Sequence, residues 1–216
     1  TGRVRSVPHP VPLLGIEGDP TPAPGPAVRR AAVGAHELIF GEHDGLDAPL
    51  LAMARARVSD LQRDRRLRGF GLCRVAAQAS HVTWQLMAFP HDFAPTACAA
   101  WRDMELRERA RVVAESPGGV ALAAWAPLAP FETWILSREG VGGFATGDDD
   151  VPLLLREVLG RLERVLGATT LDLSVADGEP WRLVIRPRVR QEAAAAALGV
   201  AVVGLFPEVA AKLLRD

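Results

Sequence analysis

Residues 80 to 90 read SHVTWQLMAFP, and within them His81, Thr83 and Gln85 share one parity while Val82, Trp84, Leu86 and Ala88 hold the other. A period of two describes a strand with one polar and one apolar face, so an imidazole, a hydroxyl and a carboxamide stand in one row. An imidazole is a nucleophile and a base near neutral pH. A threonine hydroxyl is a poor nucleophile without an adjacent base, and His81 is badly placed to serve Thr83, because alternate side chains of a strand run parallel. His91, just beyond Pro90, is a second imidazole at a strand end, where a solvated histidine is the plain reading. The other group with chemistry in it is Arg182, Arg186, Arg188 and Arg190 in RLVIRPRVR. These share a parity, so a strand continuing past Pro187 would offer them to phosphate on one face. The plainer expectation is a solvated sheet edge marked by Pro187.

The elements that position these residues belong to a chain of 216 residues with 49% hydrophobic content, enough for one large domain or two small ones with real cores. A formal net charge of -1, without long runs of one sign, predicts no nucleic-acid or membrane-surface partner. Lys212 is the only lysine among many arginines, a bias read as genome composition in preference to function. Cys73 and Cys98 form no CxxC, which predicts neither a disulfide framework nor a thiolate zinc site and suits a reducing, cytoplasmic setting. The longest apolar runs, such as residues 193 to 206, fall short of the roughly 18 to 20 residues of a membrane span. No signal peptide is read at the start of the chain.

Prolines at 8, 10, 12, 20, 22, 24 and 26 make residues 1–30 an extended arm, since each removes a backbone donor. A regular order then begins. Strand AHELIF (35 to 40) is followed by a helix with Asp47 as N-cap and Pro49 in its first turn, then by strands at 69 to 76 and 81 to 89. After a short helix at 97 to 107 and a hairpin around Pro117, Gly118 and Gly119, the order returns. Strand FETWILS (131 to 137) precedes a helix capped by Asp150, with Leu155, Val158, Leu159, Leu162 and Val165 on one face and Gly167 at its end. Strands at 169 to 176 and 181 to 187 complete the set, and an apolar segment and a final helix close the chain. Two copies of one strand, helix, strand, strand unit are therefore expected, a first half over 31–95 and a second over 96–216. His36 is expected at a domain edge or dimer contact, and Trp84, Trp134 and Trp181 in core or interface.

VGAHELIFGEHDG, APFETWILSREGVGGF, WRLVIRPRVR and GLFPEVAAKLLR together resemble the galactose-1-phosphate uridylyltransferase family of the histidine-triad superfamily, from about residue 31 to the end. The resemblance implies an α+β fold: two histidine-triad-like halves forming one antiparallel-rich sheet with helices on one side. In that family the second histidine of a His-Pro-His-x-Gln strand attacks the α-phosphorus of a nucleotide sugar, and a sugar phosphate intercepts the nucleotidyl-imidazole. Here His81 stands for the first histidine, Val82 for the proline, Thr83 for the nucleophile and Gln85 for the glutamine, so the nucleophile is absent. The phosphate-holding segment ahead of the motif is shortened to CRVAAQAS, with Ser80 as its remnant. The second-half His-Trp-His-x-Glu reads Pro180, Trp181, Arg182, Leu183 and Val184, and a later glutamate-bearing segment is polyalanine at 193 to 197. His43 and His81 match two family zinc ligands, but two donors make a weak site for a metal that wants four, so no metal or other cofactor is expected.

The expected nucleotide-binding positions are Ser80, His81, Thr83, Gln85 and Arg182, with a nucleotide or nucleotide sugar as ligand and a homodimer allowed by the resemblance. Three functions follow: a catalytically impaired uridylyltransferase-like protein that keeps a nucleotide pocket; an active nucleotidyltransferase or phosphohydrolase with a changed nucleophile, whose turnover would collapse on His81→Ala; and a scaffold that binds no nucleotide.

Overall fold

The structure, a computed structural model, describes residues 5–8, 35–40, 48–76, 82–89, 99–138, 144, 150–167, 171–176, 181–189 and 203–216. The first part of the chain gives β1 (Arg5–Pro8), β2 (Ala35–Phe40), α1 (Ala48–Leu61), β3 (Gly69–Ala76) and β4 (Val82–Phe89). The second gives α2 (Ala99–Glu108), β5 (Val112–Glu115), β6 (Gly119–Ala123), β7 (Thr133–Ser137), α3 (Val151–Leu166), β8 (Leu171–Ala176), β9 (Arg182–Pro187) and α4 (Pro207–Arg215). The described strands form one nine-stranded sheet in the order β1-β2-β4-β3-β8-β9-β7-β6-β5, and every pairing is antiparallel. Its centre is a palindrome: β2-β4-β3 meets β8-β9-β7 at the β3–β8 ladder, so the repeated strand, helix, strand, strand order becomes two mirrored runs across one seam.

Alternation along each strand sorts the apolar residues onto one face, where α1, α3 and α4 cover them. Leu50, Leu51, Ala54 and Val58 of α1 bury with Ile39, Leu72, Trp84 and Leu86 of the first half. Leu154, Leu155, Val158 and Leu162 of α3 join Ile135, Leu173, Leu183 and Ile185 in the same cluster, with Ala210, Ala211 and Leu214 of α4. Each such large side chain contributes roughly 1.5–3 kcal/mol. Trp84 and Trp181 are core residues, and Phe144 packs edge-on against Trp181 with centroids 5.7 Å apart.

Four features depart from expectation. The helices do not all lie on one side. Trp101 and Leu106 of α2 pack on the other face, over Val112, Val120, Leu122 and Leu136, which form an apolar patch there. Pro187 does not mark a sheet edge: β9 lies between β8 and β7, and the proline is tolerated because it is the strand's last residue, opposite Leu171. Asp150 adjoins α3 without a side-chain cap; its carboxylate instead accepts the Gly118 N–H at 3.0 Å, tying the helix start to the β5–β6 turn. Burial would raise its pKa, but the bonds from Ser116 and Gly118 and the charge of Arg55 hold it below the usual carboxylate range. Val165 faces outward, displaced from the buried stripe of Val151, Leu154, Leu155, Val158 and Leu162. Gly167 does end α3, at φ 70, a conformation suited to glycine. Asp47 lies outside the described residues, as does the proline-rich arm apart from β1, which forms an edge of the described sheet.

Charge is also buried, in pairs. Glu37 shares the face of Ile39 and takes a fork of bonds from Arg57 of α1, at 2.8 and 2.7 Å. Glu105 of α2, fully buried, accepts three bonds from Arg111, which also reaches Glu208 of α4 and lies 4.6 Å over the Trp125 ring. That pair links helices on opposite faces around the β5 side of the sheet.

Because the main cluster runs across the seam, the two halves are expected to unfold together. Leu72, 1% exposed, stands opposite Val175 on β8. Leu72→Ala should cost about 2–5 kcal/mol and keep a single transition in urea, read by tryptophan emission and circular dichroism. Two separated transitions would show that the halves are independent.

Candidate functional site

The face opposite α1, α3 and α4 carries the candidate chemistry, and the ladder registers set its rows. One row runs Leu38, Gln85, Cys73, Ser174, Val184, Trp134, Leu122. The next runs His36, Met87, Gly71, Ala176, Arg182, Leu136, Val120. Over β5 to β7 this face is covered by α2; from β2 to β8 no described helix contributes to a cluster on it. Gln85 is half-buried there, and Thr83, two residues earlier, pairs with Phe40 and Val75. His36 is buried on β2, which is an inner strand with β1 outside it, so its position is not a sheet edge.

Of the positions expected to bind nucleotide, Gln85 and Arg182 share this face, but three strand spacings separate β4 from β9, roughly 14 Å at ~4.8 Å each. Ser80, His81 and His43 lie outside the described residues, as do His91 and Arg190. Among the described residues no group of three or more metal-ligating side chains occurs. The four arginines do not make one row: Arg182 and Arg186 stand on β9, whereas Arg188 follows the strand and is paired with Asp172 at 2.7 Å.

A cluster that was not foreseen lies where β7 meets β9. Glu132, 3% exposed, accepts bonds from the Leu128 N–H (2.9 Å), the Trp134 indole N–H (2.8 Å) and Arg186 Nε (2.9 Å). Phe131 before it sits at φ 62, a strained conformation for a bulky residue. The carboxylate thereby sets both the edge of Trp134 and the reach of Arg186. Trp134 meets Trp101 of α2 edge-on at 5.5 Å, and the guanidinium of Arg182 lies 4.4 Å over its ring. The signal was present in FETW: Glu132 and Trp134 are two apart, the spacing that puts strand neighbours on one face.

The fold is shared with solved structures. A galT-like protein from Arabidopsis thaliana superposes with a TM-score of 0.72 at 20% identity, over 99% of this chain and 83% of its own. An ADP-glucose phosphorylase from Arabidopsis thaliana with bound ADP-glucose gives 0.74 at 19% identity, over 99% and 82%. A uridylyltransferase gives 0.65 at 15%, over 83% and 74%. The α+β, antiparallel-rich architecture expected of the chain is thus that of known uridylyltransferase-like folds. No protein-family model and no curated protein matches the chain.

All three partners of Glu132 are donors, so an amide in its place must turn its NH₂ toward one of them. Glu132→Gln is therefore expected to lose about 1–3 kcal/mol in urea unfolding and to shift tryptophan emission to the red as Trp134 loosens. An unchanged midpoint and spectrum would refute this account of the carboxylate.

Proposed function

We propose that this protein is a uridylyltransferase-like binder of a nucleotide or nucleotide sugar, without the parent chemistry at its first-half site. The observation that carries the reading is the setting of β4: Thr83 and Gln85 stand in the polar row of an inner strand, on a sheet face that no described helix fills beside them. Support comes from the fold shared with a phosphorylase that has bound ADP-glucose. In the resemblance Thr83 occupies the place of the attacking imidazole. A threonine ester of a nucleotide would form slowly without a base and release its nucleotide poorly compared with a phosphoramidate. Binding would then survive while transfer fails, with Ser80 and His81 completing the phosphate contacts and Gln85 orienting the ligand through its amide.

The test is phosphorus NMR of the protein with UDP-glucose or ADP-glucose and galactose 1-phosphate. Broadened nucleotide lines without new resonances are expected, and Gln85→Ala should weaken binding about fivefold to tenfold, the worth of one hydrogen bond. Thr83→His should acquire covalent labelling from nucleotide sugar carrying radioactive α-phosphate, because it restores an imidazole at the attacking position. Product signals from the unaltered protein would favour an active enzyme with a changed nucleophile, to be checked with His81→Ala. Sharp, unshifted lines would favour the scaffold.

A further inference from the structure

On the second-half part of the face opposite α1, α3 and α4 stands positive charge that the proposed first-half site does not use. Arg182 is half-buried, its Nε is inaccessible and without a hydrogen-bond partner, and its guanidinium has no carboxylate bound to it among the described residues. Four other arginines with restricted exposure are paired with acids: Arg57 with Glu37, Arg102 with Asp103, Arg111 with Glu105 and Arg161 with Glu157. Arg186 spends only Nε on Glu132, leaving its two terminal nitrogens without a described partner. Glu132 already accepts three bonds, and Asp172, which faces Arg186 in the ladder, is bonded to Arg188. Of these two guanidiniums only Arg186, through Nε, is hydrogen-bonded to an acid among the described residues. Burial lowers the pKa of Arg182; Glu132 works against that shift, and the charge of Arg186 adds to it.

We propose that Arg182 and Arg186, held by Trp134 and Glu132 on the face of β9 opposite α3, form a binding site for a phosphate group, separate from the first-half site. The ligand class follows from geometry. Stacking on Trp134 leaves Arg182 only its N–H edge, and a guanidinium edge fits two oxygens in parallel. A phosphate offers more oxygens and more charge to two arginines than a single carboxylate does. Trp134 is already covered by Arg182, so its ring is not a free platform for a base. The strained Phe131 and the buried Glu132 behind it are the supports of a built site, because they fix both the ring and the second arginine.

The experiment titrates the full chain, free of nucleotide, with inorganic phosphate and glucose 1-phosphate, by calorimetry and phosphorus line broadening, with acetate as the carboxylate arm. Saturable binding of both phosphates is expected, weakened about tenfold or more by Arg182→Gln and by Arg186→Gln. Arg182→Lys should lose a similar factor, because an ammonium keeps the charge but not the fork. Should Arg182→Gln fail to fold, the more exposed Arg186→Gln gives the same readout. Gln85→Ala should leave phosphate binding intact while losing nucleotide-sugar affinity, so the two sites fail separately. Absence of saturable phosphate binding, binding unaffected by both Gln variants, or acetate binding as tightly as phosphate would overturn the proposal.

Discussion

The antiparallel ladder between β3 and β8 is the contact on which the rest of the molecule depends. Gly71, Leu72 and Cys73 face Ala176, Val175 and Ser174, and through them two half-sheets become one. On one side of that seam Leu72 and Val175 carry the core from α1 to α3 without a break. On the other the seam aligns the rows that join Gln85 to Trp134 and Met87 to Arg182. A slip of one residue there would turn the face of a whole half, burying Arg182 among the helices and exposing Leu183. The apolar pattern of both halves therefore enforces the register that positions the polar face.

Much of this was legible in the sequence, because period-two strands and capped amphipathic helices are local patterns. The repeat, the limits of most strands and the glycine at the end of α3 follow from them. What escaped was nonlocal. Glu37, a charged residue of AHELIF, faces α1, since Arg57 of that helix supplies the countercharge. α2 offers Arg102 and Glu105 as its most buried residues, a pattern that no hydrophobic periodicity announces and that only Ser137, Asp103 and Arg111 explain. Pro187 suggested an edge because a proline lacks a donor, but a strand's last residue can do without one even at the centre of a sheet.

The candidate site was legible in its members and not in its grouping. Gln85 and Arg182 were both recognisable as polar residues on strands, but only the strand order shows that β3 and β8 stand between them. Arg186 was grouped with Arg188 by parity, whereas the end of β9 separates them and each takes its own acid: Glu132 for one, Asp172 for the other. Glu132 was visible as part of a motif, and its role depends on Arg186, which is far from it in sequence and adjacent in space.

The palindromic sheet also makes β4 and β9 equivalent strands, each the middle member of its run, and this equivalence separates the chemistry of the halves. In the stretches HVTWQ and PWRLV the third residues are Thr83 and Arg182, and ladder parity puts both positions on the face of Gln85. A neutral hydroxyl residue and a guanidinium thus occupy matching stations. Among the described residues the arginine station has a buried carboxylate, an indole beneath the cation and a second arginine around it. Burying a cation without a partner is costly, and the indole offsets only part of that cost. A fold that keeps such a residue half-buried, and holds its neighbours with a strained backbone, suits the phosphate proposed for Arg182 and Arg186.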